Sequence, residues 1–339
     1  MRLSRAITAF ILMLLASVTL RAQESGTSEI IFGHIGDSYG WHITCWDGRT
    51  VGVHLPVIVR SPQTGWHVFS SARLSHGREY EGFRIAADGE PHEGKIVLSD
   101  GTRPLDISIT KNVFALMVSS LLLLVIVLSA ARWYRTHDST SEAPRGIAAF
   151  VEPVVMMVHE MAKENIGEDY RRYSPYLCAA FFFILLNNLL GIVPFFPFGA
   201  NLTGNIAVTL VLALCTFLAV NLFGNREYYR EMLCPDVPVF LKPIMPLIEV
   251  FSAIMKPVSL TIRLFANMLA GHIMILGLVC VIFIIAKYGA VLFGAMSVVS
   301  VLFGVFLDLL ECLVAFVQAY VFTTLSSIYI GLSRQKNHS

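Results

Sequence analysis

Charge is what this chain has least of. Asp, Glu, Lys and Arg together make up 14% of its 339 residues, where a soluble globular domain carries about 25%. Hydrophobic residues make up 55%, a composition that points to a membrane. A surplus of either sign is also missing. The formal net charge is +1, so there is no electrostatic reason to expect nucleic acid or an acidic substrate. Cysteine is sparse: of six, only Cys45 lies in a stretch expected to face an oxidising compartment. Cys178, Cys215, Cys234, Cys280 and Cys312 fall in apolar runs or basic loops. Without a CxxC pair or an even outer set, neither a disulfide nor a zinc framework is expected, and nothing marks a metal or cofactor site.

The amino terminus has the parts of an export signal, placed at 1–22. Arg2 and Arg5 form the basic region, Ile7 to Leu20 the apolar run, and Leu20-Arg21-Ala22 a cleavage site before Gln23. Arg21 beside the cut leaves an uncleaved anchor as the other reading. Residues 23–110 read as a small β-rich domain. Short runs at Val51–Arg60, Trp66–Ser70, Lys95–Leu98 and Leu105–Ile109 alternate with turn signals such as Asp47-Gly48 and Asp100-Gly101. Six histidines lie here (His34, His42, His54, His67, His76, His92), at spacings that match no ligand motif and suit surface positions.

The long apolar runs follow. Spans are expected at about 112–131, 176–194, 206–223, 244–286 and 290–330. Residues 132–175 hold Arg132, Arg135, Arg145, Lys163, Arg171 and Arg172, whereas 195–205 hold no basic residue. By the positive-inside rule the β domain is outside and the carboxyl terminus cytoplasmic. The expected fold is therefore mostly α: a polytopic membrane protein with five membrane helices over 111–335, plus a small N-terminal β-rich soluble domain. Ile147, Phe150, Val151, Val154, Val155, Val158 and Met161 recur at helical spacing, so an amphipathic cytoplasmic-side helix is expected at about 146–164.

The last two runs have about 40 residues each. As helix each would be about 60 Å long, twice the hydrocarbon thickness, so they must tilt steeply or bend, as a hairpin wrapped against another membrane body. Inside the first lies Arg263, a cation that costs at least about 2.5–3.5 kcal/mol to insert and cannot lose its proton. Glu249, Lys256 and Arg263 are heptad neighbours and Asn267 follows at i+4, so the four share roughly one face; His272 points elsewhere. On the last helix Asp308, Glu311 and Gln318 form one stripe. Aligned ionisable residues in apolar helices mark ion paths. The alternative is that Arg263 snorkels, or forms a structural ion pair with Glu311 or Asp308. Asn187, Asn188 and Asn221 read as interhelical hydrogen-bond partners.

Lys256-Pro257-Val258-Ser259-Leu260, then Arg263-Leu264-Phe265-Ala266-Asn267-Met268-Leu269-Ala270-Gly271-His272, and the closing Gln318-Ala319-Tyr320-Val321-Phe322 resemble the signature of subunit a of F-type ATP synthases. The likeness covers about residues 110–335. Ala266 stands where the family often has glycine, and His272 with Glu311 reverse the acid and imidazole of many bacterial members, as mitochondrial relatives do. The resemblance implies a stator beside a rotating ring of c subunits, held by peripheral-stalk b subunits in a bacterial inner membrane. Protons would pass through two offset half-channels. Arg263 would face the ring carboxylates, helped by Asn267. His272, Glu311 and Gln318 would line the outer half-channel with Asp308 a weaker member, and Glu249 would belong to the cytoplasmic exit. Such a chain is no enzyme by itself and takes no small-molecule substrate or cofactor.

A self-contained channel or secondary transporter is the competing class, though one-sided polar stripes leave half of any pathway missing. Two enzyme motifs fail. Gly89 to Lys95 approaches a phosphate loop but has Ile96 for Ser or Thr, and His159-Glu160-Met161-Ala162-Lys163 has lysine for the second zinc histidine.

Overall fold

The computed structural model describes residues 36–46, 49–87, 89–137, 142–193, 199–200, 202–233, 242, 244–286 and 290–334. The export signal expected at 1–22 and the Lys287-Tyr288-Gly289 turn lie outside them. The chain divides into two compact units. One holds the β domain, the chain up to Val118, and segments 193–200 and 273–305; the other holds 119–192, 201–272 and 306–339.

In the first unit, strands β1 (Gly40–Trp46) and β2 (Arg49–His54) form an antiparallel pair. Strands β3 (Pro56–Ser61), β4 (Gly65–Ser70) and β7 (Leu105–Asp106) form a three-stranded antiparallel sheet in the order β4-β3-β7. Strands β5 (Phe83–Ile85) and β6 (Ile96–Leu98) make a third, two-stranded pair. Alternation along β3 sends Val57, Val59 and Ser61 inward and Pro56 and Arg60 outward. The β3–β4 turn ends on Gly65 at φ 84, a left-handed conformation that a side chain would strain. Tyr39, Val57, Val59, Phe69, Leu74, Phe83 and Ile96 make the core. The Tyr39 hydroxyl donates to Asp106 Oδ2 at 2.5 Å, and burial beside that carboxylate pushes the phenol upward.

The run expected at 51–60 is two strands, not one. Leu55 lies between them: its N–H meets both Ser71 Oγ (3.1 Å) and the Tyr39 carbonyl (3.3 Å), and its carbonyl accepts the Ser71 N–H. Strands β1 and β5 have no counterpart among the expected runs. His67 is not a free surface histidine: Glu81 Oε2 lies 2.6 Å from its Nδ1 and Thr64 Oγ1 2.7 Å from its Nε2.

The helices are α1 (Lys111–Thr136), α2 (Ile147–Ile166), α3 (Tyr170–Ile192), α4 (Ile206–Leu222), α5 (Arg226–Leu233), α6 (Met245–Ala286) and α7 (Ala290–Arg334). Among the described residues four helical stretches are long and apolar enough to cross a membrane, and α4 is a shorter apolar helix of 17 residues. The fold is a mostly α, polytopic membrane architecture with a small N-terminal β region. Helices α6 and α7 have 42 and 45 residues, hence lengths of about 63 and 68 Å. Helix α1 runs beyond Arg132 to Thr136, since no Gly or Pro interrupts it. Helix α3 begins at Tyr170, not Tyr176, and carries Pro175 inside it. One backbone bond is given up there, while Tyr173, Ser174 and Leu177 are buried.

The second unit packs around Val158, Ala162, Leu177, Phe181, Ile184, Leu260, Leu264, Ala319 and Phe322. Hydroxyls tie its helices together: Tyr176 to Thr216 at 2.7 Å, Thr216 to Ser326 at 3.2 Å, and Asn165 Nδ2 donating to Ser327 Oγ at 2.9 Å. The asparagines divide. Asn188 Oδ1 accepts from Thr203 Oγ1 at 2.6 Å, outside its own helix. Asn187 and Asn221 instead donate back to Phe183 and Phe217 of their own helices, because an amide on a helix reaches the carbonyl one turn behind.

Helices α2 and α7 approach backbone to backbone at Gly331, where an added Cβ would stand 2.0 Å from the Asn165 carbonyl oxygen. Gly331→Ala is expected to cost about 3 kcal/mol or more, the upper end for overpacking. A clearly lowered thermal unfolding midpoint of the purified chain in lipid nanodiscs is the readout; an unchanged midpoint would contradict the close approach.

Candidate functional site

Leu260, Leu264 and Met268 recur at i+4 on α6 and are fully buried, which fixes the rotation of the helix. Arg263 thereby faces outward. Its side chain is exposed, and among the described residues it makes no hydrogen bond and no ion pair. The structural ion pair with Glu311 or Asp308 does not form.

The expected shared face of Glu249, Lys256, Arg263 and Asn267 breaks up. Asn267 Nδ2 donates to Gln318 Oε1 of α7 at 2.8 Å. The Lys256 ammonium lies 5.3 Å from the ring centroid of Tyr329, also on α7. Glu249 is half-buried, near enough to Tyr228 of α5 that its carboxylate adds to burial and Tyr229 in raising that phenol. Lys256, Tyr228, Tyr329, Thr216 and Asn221 line one narrow cleft.

On the other side of α6, His272 Nδ1 stands 3.0 Å from Glu311 Oε1. Side-chain exposure is 12% for His272 and 6% for Glu311, so this acid and imidazole sit inside protein. The approach is close without hydrogen-bond alignment: His272 Nδ1, both Glu311 oxygens and Gln318 Nε2 are buried with no hydrogen-bond partner. Buried polar atoms left in that condition cost about 1–3 kcal/mol each, so this cluster is set apart from the ordinary packing around it. Asp308 lies one turn before Glu311 and is half-buried. The contacts 267 to 318 and 272 to 311 run in opposite directions along the chain, so α6 and α7 pair antiparallel here.

Gly271 belongs to this site although a search for charge overlooks it. A Cβ there would meet Glu311 Oε1 at 2.9 Å and its Cδ at 3.1 Å. The glycine leaves the space the carboxylate occupies. Its signal in the sequence is a glycine inside a helix, directly before an ionisable residue.

The profile of the ATP synthase A chain family matches residues 114–331. The chain belongs to the ATP synthase subunit a family. Among its relatives, subunit a 2 of Prosthecochloris aestuarii is 42% identical over 72% of this chain and 73% of its own length. Subunit a of Myxococcus xanthus is 42% identical over 75% of this chain and 80% of its own. Residues 30–112 match a separate family described as a domain of unknown function, DUF8433. The subunit a match takes in α6, α7 and the whole Arg263–Glu311 region, and it stops short of the β domain.

His159, from the failed zinc motif, is held at 2.9 Å to Ser174 Oγ. That contact joins α2 to α3 and is structural.

An added Cβ at Gly271 would lie 3.5 Å from Glu311 Cγ, close to where a cysteine sulfur at 311 would stand. In a background with the six native cysteines replaced, Gly271→Cys with Glu311→Cys is expected to form a disulfide on mild oxidation. Loss of maleimide labelling, regained on reduction, checks it; persistent labelling would mean that α6 and α7 do not meet there.

Proposed function

We propose that this chain is the proton-conducting stator subunit of an ATP synthase membrane sector, set against a rotating c-ring and held by the b subunits. The observation that carries the reading is Arg263: a permanent cation outward on an apolar helix, with no acid of its own chain against it among the described residues. An uncompensated guanidinium in a membrane is too costly to persist without a counter-charge. The c-ring supplies one, a carboxylate that passes as the ring turns.

A proton enters from outside along the buried group of His272, Glu311 and Gln318 and neutralises a ring carboxylate, which then turns into lipid. After nearly a full revolution Arg263 attracts the deprotonated form of that carboxylate, so the proton is released toward the cytoplasmic side, where Glu249 lies in the exit path. The fixed charge also repels any proton attempting the direct route between the two half-channels. Each proton crossing 100 mV delivers about 2.3 kcal/mol, so a leak at this point would uncouple the machine. Asn267, bonded to Gln318, holds the entry side against the arginine helix. Asp308 sits at the outer end of the same path. The charge asymmetry of the loops supports a periplasmic β domain and a cytoplasmic carboxyl terminus in an inner membrane.

Arg263→Ala is expected to reduce proton-driven ATP synthesis in membrane vesicles to background while the complex still assembles. Arg263→Lys should fare little better, since burial depresses a lysine pKa and the planar fork is lost. Full coupled synthesis by Arg263→Ala would overturn the role.

Glu311→Gln is expected to slow proton entry about tenfold, a barrier increase of about 1.4 kcal/mol. Combined with His272→Ala, it should depart from additivity by about 0.5–3 kcal/mol. Passive proton uptake into vesicles measures both, and strict additivity would show that the two side chains act separately.

A further inference from the structure

The sheet β4-β3-β7 has an outer face of the wrong chemistry for water. A sheet solvated on one side alternates apolar inward with polar outward. Here the inward set is Val57, Val59 and Phe69, and the outward set is apolar as well: Trp66 is 54% exposed, Val68 71%, Leu105 56% and Ile107 57%. Register gathers them into one surface. Arg60 pairs with Trp66 on one side and Leu105 on the other; Ile58 pairs with Val68 and accepts the Ile107 N–H. The single charge among them, Arg60, has its guanidinium 5.7 Å from the Trp66 ring centroid. Among the described residues nothing packs on this face.

The face cannot move far from the bilayer. Leu105 and Ile107 precede Lys111, the first residue of the membrane helix α1, by six and four residues, a reach of about 20 Å at most. The domain is also locked to that helix end. The Lys111 N–H donates to the Ser38 carbonyl at 2.8 Å, and the Asn112 N–H to Asp37 Oδ1 at 3.1 Å, a carboxylate capping the helix from a distant part of the chain. Phe114, one turn into α1, meets the edge of Trp41 at 5.7 Å. The first turn of α1 is thus bonded to the β domain.

We propose that this sheet face rests on the phospholipid headgroups of the outer leaflet beside α1, making the β domain a foot seated on the membrane. Trp66 takes the interfacial level that tryptophan prefers. Arg60 extends its apolar stem along the same face and directs its guanidinium to headgroup phosphates. Val68, Ile58, Leu105 and Ile107 bury against the upper acyl region. The seat fixes the outer end of α1 in depth and rotation. It does not depend on the role of Arg263, and only the choice of leaflet rests on the periplasmic placement of the β domain proposed above.

The test uses the full ATP synthase complex in phosphatidylethanolamine–phosphatidylglycerol vesicles containing lipids brominated near the top of the acyl chains. The difference in emission between the unaltered complex and Trp66→Phe isolates Trp66, which is exposed enough to replace without disturbing the core. The expected result is Trp66 emission mostly quenched by the brominated lipid and little affected by aqueous acrylamide. Val68→Asp with Ile107→Asp, at positions where the fold tolerates a carboxylate, should abolish the lipid quenching. Quenching by acrylamide alone would show a face open to water and overturn the proposal. Protection from both quenchers would overturn it as well, showing a protein cover, whether the chain before residue 36 or another subunit.

Discussion

The antiparallel contact of α6 and α7 brings the candidate site together. Two contacts define it, Asn267 with Gln318 and His272 with Glu311. The first is a hydrogen bond between amides in an apolar setting, where an unpaired amide is costly, and the second a close approach of acid and imidazole. Gly271 leaves open the space into which the Glu311 carboxylate reaches. This contact agrees with the rotation of α6 that burial of Leu260, Leu264 and Met268 fixes, and Arg263 is left facing out.

The same pairing separates two kinds of ionisable group. Glu311 and His272 are enclosed by the chain that carries them, with polar atoms that the described residues leave unsatisfied. Arg263 has the opposite situation, a charge with no compensation among the described residues of its own chain. The hydroxyl ties among α3, α4 and α7, through Tyr176, Thr216 and Ser326, and the contact of Gly331 with Asn165 join the helices packed around this region. Hydroxyls and small residues are what hold helices together where apolar burial against lipid offers no preference.

Much of the site is legible in the order of residues, for reasons that differ from one position to the next. Arg263 stands out because a charge in a long apolar run is energetically anomalous wherever it points. Glu311 and Gln318 stand out by their shared stripe. The assignment of faces is less legible. Helical spacing puts Asn267 with Arg263, yet Asn267 reaches α7, because a side chain at a helix crossing can bond to either side. Asn187 and Asn221 have the chemistry of cross-helix partners, and their amides bond one turn back instead. Gly271 carries no charge to draw notice. In the β domain, Leu55 has the apolar side chain of a mid-strand residue, but it stands between β2 and β3, where its backbone N–H also meets the Ser71 hydroxyl.

Composition and period are enough to establish the membrane class, the presence of the apolar helices, the β-rich amino-terminal region and the anomaly of Arg263. Each is a local property, and transfer free energies act on it without reference to distant parts of the chain. Packing in three dimensions was needed to bring Glu311 against His272 and Gly271 and to leave Arg263 without an acid among the described residues. It was needed as well to make the outer β-sheet face apolar and anchor it beside α1. Those are matters of register between segments far apart in sequence. Side-chain reach and backbone hydrogen bonding set that register, and neither leaves a periodic trace in the order of residues.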